Sequence, residues 1–318
     1  MRVLITGARG FVGPYVYEAL HRICGRDVAV VATSKDGGPH PLFGQIEALD
    51  VTDKVAVDDA IERHRPTHVV HLAAIAALGA AQADPQNTWR IHVQGTLNVA
   101  HAILDNAPGC WLLHVGSGLV YGESAKTGRP LDESTLLAPT DDYAVTKAAA
   151  DLALGALSRQ GLKCIRLRPF NHTGPGQTEA FAVPAFAIQI ARIEAGLALP
   201  VIRVGNLDAE RDFLDARDVA SAYAHVALNS DNLAPNTIFN VASGIPRRMG
   251  DILDQLLAQS SVNIVTEQDP LRLRPSDLPY IVGDATRART CLGWMPEHPF
   301  EDTLATVLKD CRARVGEA

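Results

Sequence analysis

The stretch RVLITGARGFVG, residues 2–13, constrains this chain more than any other. Its apolar start, RVLIT, reads as a buried strand; Gly7, Gly10 and Gly13 follow at once, three residues apart, and a helix-like run begins at 11. Glycines at this spacing admit a tight turn, close approach of an anion to the backbone, and close packing of helix on strand. A helix starting there aims unbonded N–H groups and partial positive charge at whatever lies over the turn. Turns use glycine routinely, so the triplet alone is weak evidence. Strand, triplet and helix in succession predict a dinucleotide-binding turn lined by Gly7, Arg9, Gly10, Phe11, Val12 and Gly13.

The strand-then-helix pattern recurs. Runs at 28–33, 68–74, 111–116, 164–169 and 237–242 are apolar and largely continuous rather than alternating, as strands covered on both faces must be. Helix-like segments lie near 11–24, 53–64, 85–106 and 143–160. This predicts an α/β fold, a Rossmann-type doubly wound parallel sheet. After Pro169 the texture changes, with Gly, Pro and Asn clustered in RPFNHTGPGQ and again near 270–279. We expect a dinucleotide-binding domain over 1–169, with 211–242 returning to it, and a smaller interleaved substrate-binding domain from 170–210 and 243–318. There are no repeats and no low-complexity tract.

Composition excludes several classes. A net charge of -7 with no basic run argues against a nucleic-acid partner. Five scattered cysteines without a C-x-x-C argue against a disulfide framework or a cysteine zinc site and fit a reducing cytoplasm. His68 and His71, three apart in a strand, point to opposite faces, so no metal site is expected. No apolar run approaches the roughly 20 residues a bilayer span needs, and Arg2 enters a strand without a basic-then-apolar leader. Neither membrane insertion nor secretion is expected.

Two further readings concern chemistry. The second strand ends VAVVATSK, with no carboxylate before Asp36 to hold a ribose 2′-hydroxyl. Arg9, Thr33, Ser34 and Lys35 suit a 2′-phosphate instead, favouring NADP(H), with NAD(H) as the alternative. In PTDDYAVTKAAA, Tyr143 and Lys147 are one helical turn apart, so the ammonium is expected to make the phenol a usable acid; solvated decoration of a helix end is the plainer alternative.

The glycine turn, LAAIAA (72–77), VGSGLVYG (115–122) and YAVTK (143–147) together resemble the extended short-chain dehydrogenase/reductase family over nearly the whole chain. That resemblance implies Ser117, Tyr143 and Lys147 as catalytic residues, with Tyr143 and Lys147 also touching the cofactor. It implies Asp50 and Val51 near the adenine, Leu72, Ala73 and Ala74 along the cofactor, and a homodimer paired through the helices at 85–106 and 143–160. One departure is His92, where such enzymes usually carry Asn.

The segments at 168–177, 201–219 and 269–294 resemble the nucleotide-sugar branch that handles GDP-hexoses, implying that Asn171, Arg211 and Arg274, with Ser117, contact the sugar nucleotide. A 4,6-dehydratase of that branch carries a glutamate base two residues after the triad hydroxyl. Leu119 stands there and cannot accept a proton. The resemblance therefore implies reduction of a GDP-linked 4-keto-6-deoxy sugar to the 4-hydroxy sugar. A 4-epimerase with retained NAD is the alternative; a 4,6-dehydratase or a non-catalytic NADP-binding sensor are lesser ones.

Overall fold

The computed structural model describes residues 1–25, 27–273 and 278–316. Numbered along the chain, the central sheet contains β1 (Arg2–Thr6), β2 (Ala29–Ser34), β3 (Gly38–His40), β4 (Gly44–Ala48), β5 (His68–His71), β6 (Trp111–Val115), β7 (Cys164–Pro169) and β11 (Ile238–Val241). Its order is β11-β7-β6-β5-β1-β2-β4-β3, and every neighbouring pair is parallel except β3 with β4. The β3–β4 hairpin has little sequence signal. Ile46 is the one fully buried apolar side chain it contributes, and Gly37 and Gly38 turn through positive φ where it begins.

Strand periodicity sorts the two faces. Leu4, Val69, Leu112 and Cys164 pack beneath α2 (Lys54–His64), α5 (Thr96–Asn106) and α6 (Asp142–Ser158), while Val3, Ile5, Val70, Leu113 and Ile165 face α1 (Val12–Ile23) and α8 (Ala216–Asn229). Two residues beyond the first row, in register across four strands, lie Thr6, His71, His114 and Arg166. All are buried, so the sheet turns polar toward its carboxyl ends on the face that carries α6. Strand order reverses beside β1, and a ligand crevice is expected there at the strands' carboxyl ends.

The 85–106 stretch is not one α-helix. After α3 (Leu78–Ala83), α4 (Pro85–Trp89) passes through a wide π-helical turn, Arg90–Gly95, into α5, and His92 sits in that turn. Such turns occur often at functional positions.

The remaining elements form a second layer system beside the sheet. Strands β8 (Asn171–Thr173), β10 (Glu210–Asp215), β12 (Pro246–Arg248) and β14 (Tyr280–Ile281) pair with one another, and β9 (Val201–Val204) pairs with β13 (Val265–Gln268). Helices α7 (Ala182–Glu194), α9 (Met249–Leu257) and α11 (Phe300–Gly316) close a separate core around Phe186, Ile190, Phe213, Leu253 and Leu304; α10 (Thr286–Leu292) packs with α8 and β11.

A buried ion cluster pins α6 to β7. Asp151 Oδ1 accepts from Arg166 at 2.6 Å and from Arg168 at 2.9 Å, while Oδ2 takes Arg168 Nε at 3.0 Å. Arg168 also donates to the Tyr121 hydroxyl, which donates to Asn240 on β11. Removing the carboxylate would strand two buried guanidinium groups. Asp151→Asn should lower stability by about 3–5 kcal/mol, read as a lower urea midpoint.

Candidate active site

Tyr143 and Lys147 sit in the first turns of α6, whose start is capped by Asp141 accepting the Ala144 N–H at 2.8 Å. Ser117 ends the segment after β6, where Gly118 lies so close to the Phe170 ring that a β-carbon would meet it at 2.9 Å. The Ser117 oxygen accepts the Leu119 N–H at 3.1 Å, and the Ser117 side chain is the neighbour that favours the ionised form of the Tyr143 phenol. Lys147 is buried and donates from Nζ to Val115 O at 2.9 Å. Helix α6 and the β6 loop thus bring these three side chains together.

The expected electrostatics need correction. Burial pushes the Tyr143 phenol above its usual range, the Ser117 hydrogen bond pulls it down, and Asp141 pushes it up. Lys147 is not what acidifies it here, because its ammonium is turned to a backbone carbonyl and is itself pulled down to about 8 by burial. The pair is a protonated phenol beside a readily neutralised amine.

The glycine turn has the openings a dinucleotide requires. Gly7 adopts φ +71° and its missing β-carbon would lie 2.7 Å from Ala73 N; one on Gly13 would lie 2.0 Å from Ala8 O. Other residues cannot make this turn. No side chain caps α1 and its first turn carries no acid, so the N–H groups around Phe11 and Val12 keep their positive end for an anion. Gly10 uses its own N–H on Gly7 O.

At the end of β2 the predicted residues separate. Arg9 reaches over the turn to Gly37 O at 2.5 Å, Lys35 is exposed, and the buried Ser34 hydroxyl has no partner among the described residues. An orphaned buried hydroxyl at the strand end, with Arg9 held over the turn, fits a bound ribose or phosphate. Thr33 does not join them, since its hydroxyl is buried and donates to Ile5 O at 3.1 Å.

Asp50 accepts from the Thr52 N–H and hydroxyl; burial raises its carboxyl, but these bonds and nearby Lys35 and Arg90 outweigh it and hold it below the usual range. The Val51 carbonyl is taken by Asn98. Leu72 and Ala73 bond through their N–H groups to Thr6, which fixes the strand exit that also carries Ala74.

On the other side of the crevice, Asn171 of β8 donates to Asp212 O at 3.3 Å, and Arg211 lies on β10 with Nη1 on Glu210 O. Arg274 lies outside the described residues. Arg247, which the sequence did not single out, is the β12 partner directly opposite Arg211, and its guanidinium lies over the Phe300 ring at 4.4 Å. The described residues contain no cluster of metal-ligating side chains, and no described helix is long and apolar enough to cross a membrane.

A doubly wound sheet with an open glycine turn, and a Ser-Tyr-Lys group beside it, defines a dinucleotide-binding α/β enzyme. The chain belongs to the NAD dependent epimerase/dehydratase family, whose model it matches over residues 3–242. It is similar to GDP-6-deoxy-D-mannose reductase of Pseudomonas aeruginosa, at 32% identity over 317 residues and 99% of each chain. It is also similar to GDP-6-deoxy-D-talose 4-dehydrogenase of Aggregatibacter actinomycetemcomitans, at 25% identity and 92% of each. The solved structure of RMD from Pseudomonas aeruginosa complexed with NADPH superimposes with a TM-score of 0.85 at 30% identity, covering 98% of this chain and 99% of that one.

The buried amine has a consequence for stability. Below pH 8 the folded and unfolded states both hold the Lys147 proton, and folding bears the cost of burying charge. Between about 8 and the ordinary 10.5 the folded state has released it while the unfolded state has not, so stability rises with pH. Lys147→Met should be the more stable protein at pH 7, by up to about 3 kcal/mol, and this advantage should shrink toward pH 10.5 in denaturation curves of the two proteins.

Proposed function

We propose that this protein reduces the 4-keto group of a GDP-linked 4-keto-6-deoxy hexose, GDP-4-dehydro-6-deoxy-D-mannose, to give GDP-D-rhamnose. NADPH is the favoured reductant and NADH the alternative. The reading is supported by the Ser117, Tyr143 and Lys147 arrangement together with the full-length similarity to a GDP-6-deoxy-D-mannose reductase. The observation that carries it against elimination is Leu119, a partly buried side chain packed on the core where a dehydratase needs a base.

Residues 7–13 and the β2 end would hold the dinucleotide, which would supply, when bound, a hydride for the ketone carbon. The carbonyl oxygen then gains charge. Ser117, whose oxygen already accepts the Leu119 N–H, directs its own proton at that oxygen, and Tyr143 transfers its proton there. A phenol kept protonated by burial suits this direction, because an alkoxide is a far stronger base than a phenolate. Epimerisation and dehydration begin by removing a hydroxyl proton, which asks for a phenolate at the outset. Lys147, beside the site and anchored on Val115 O, would orient the ribose. Arg211, with Arg247 across from it, provides positive charge for the diphosphate, and Asn171 a carboxamide for the sugar nucleotide.

The test is a panel of nucleotide-linked 4-keto sugars with NADPH and NADH, following absorbance and identifying the product by NMR. GDP-4-dehydro-6-deoxy-D-mannose should be consumed with stoichiometric loss of NADPH, and Tyr143→Phe should lose at least about 100-fold in rate. Tightly retained dinucleotide with no net consumption would establish the epimerase instead.

We further propose that the enzyme acts in the cytoplasm as a homodimer. Support comes from apolar side chains left open on the helices at issue, with Trp89 of α4 42% exposed and Leu152 of α6 61% exposed. Light scattering at micromolar concentration should give a dimer, and Leu152→Glu should shift it to monomer; a monomeric wild-type protein would refute the pairing.

A further inference from the structure

His92 stands where related enzymes usually have Asn, and its hydrogen bonds leave no freedom in how its protons are placed. The Ile75 N–H donates to His92 Nε2 at 3.0 Å, so that nitrogen carries no proton. The neutral ring then has its proton on Nδ1, which donates to Thr146 Oγ1 at 2.8 Å. Thr146 donates its own hydroxyl hydrogen bond to the backbone carbonyl of Tyr143 at 2.9 Å. The His92 and Tyr143 rings also meet edge to face, centroids 5.5 Å apart.

A second chain ends on the same residue. Thr96 donates to His92 O at 2.6 Å and therefore accepts from His71 Nε2 at 3.1 Å. His71 Nδ1 then accepts from Thr6 Oγ1 at 2.8 Å, and Thr6 Oγ1 accepts the Ala73 N–H at 3.3 Å. Both chains start at backbone N–H groups of the segment after β5, Ala73 and Ile75, and both end at backbone carbonyls, of His92 and Tyr143. Groups that can only donate and groups that can only accept stand at the two ends. The polarity of each chain has one solution, with His71 and His92 in opposite tautomers.

We propose that His92 is a positioning residue for the reaction assigned above: it sets the spacing between the cofactor-facing segment 72–77 and the first turn of α6, and so places Tyr143, while relaying no proton in the reaction. The inference rests on the reductase reading for its kinetic part only. Two features of the sequence make the geometry available. The π-helical turn Arg90–Gly95 puts the ring of His92 within reach of both segments, and the missing side chain at Gly95 lets that turn close on Val51, whose Cγ2 would lie 2.7 Å from a β-carbon there. The titratable groups near the ring are Lys147 and Tyr143 on α6, His71 on β5 and His114 on β6. Burial first, then the Lys147 cation, hold His92 down to about 3. Protonation of Nε2 would set two N–H groups against each other.

Two measurements decide it. Nitrogen-15 spectra of the whole protein, with signals assigned by loss in His92→Asn and His71→Asn, should show His92 as the Nδ1–H tautomer and His71 as the Nε2–H tautomer, unchanged between about pH 5.5 and 8.5. In NADPH-dependent turnover, His92→Ala and Thr146→Val should each lower kcat about 10- to 100-fold, with the sugar KM within about threefold. The double variant should be no worse than the weaker single by more than about twofold, because both act through one link. His92→Asn, which keeps one acceptor and one donor, should recover part of the rate. The proposal is overturned if His92 titrates near 6.5 or carries its proton on Nε2. It is equally overturned if the folded single variants keep kcat within about twofold of wild type, or if their losses multiply. Wild-type protein inert toward the keto sugar would sink the reductase reading alone, and the tautomers would still decide the wiring.

Discussion

The site depends on where α6 lies along β7, and a single carboxylate sets that. Asp151, one turn below Lys147 on the helix, grips Arg166 and Arg168 of the strand at 2.6 to 3.0 Å in a space closed to water. Apolar packing alone tolerates sliding, because Ala and Leu side chains in α6 can meet several sheet positions at similar cost. A buried carboxylate bonded through both oxygens does not, since any shift leaves unpaired charge in a low-dielectric interior. The level of Tyr143 and Lys147 relative to Ser117 follows from that anchor.

Above the anchor, the same face of the sheet becomes polar. Thr6, His71 and His114 replace the apolar row two residues earlier, and π-helical His92 meets them from the helix layer. Three neutral histidines around one lysine make an environment that resists added charge. Burial there lowers the amine to about 8 and, with Asp141, raises the phenol against the pull of Ser117. A hydroxyl-rich, proton-ordered surround holds the acid ready without spending its proton, which suits reduction of a ketone better than deprotonation of an alcohol.

Much of the fold was legible along the chain. The strands of a parallel sheet are covered on both faces and so print themselves as continuous apolar runs, and a strand, a glycine triplet and a helix in succession mark the turn. The hairpin at 38–48 was not legible, because an edge with one buried side chain leaves almost no apolar pattern. Nor was the break in the helix at 85–106, since a π-turn adds a residue without changing composition. Thr33 looked like a phosphate ligand from its place at the strand end, yet the strand's alternation turns it inward to Ile5. Arg247 carried no signal beyond its charge; only the pairing of β12 with β10 sets it opposite Arg211.

By itself the sequence determined the element types, the glycine turn, the presence of a serine, a tyrosine and a lysine at family spacing, and the lack of a carboxylate at position 119. These are local properties, settled by backbone sterics and by the period at which apolar residues recur. The tertiary structure alone decided which protons are held and which way they point. Desolvation and hydrogen-bond partners come from segments as far apart as Thr6, Ile75 and Thr146, and no one-dimensional spacing encodes how closely those segments approach.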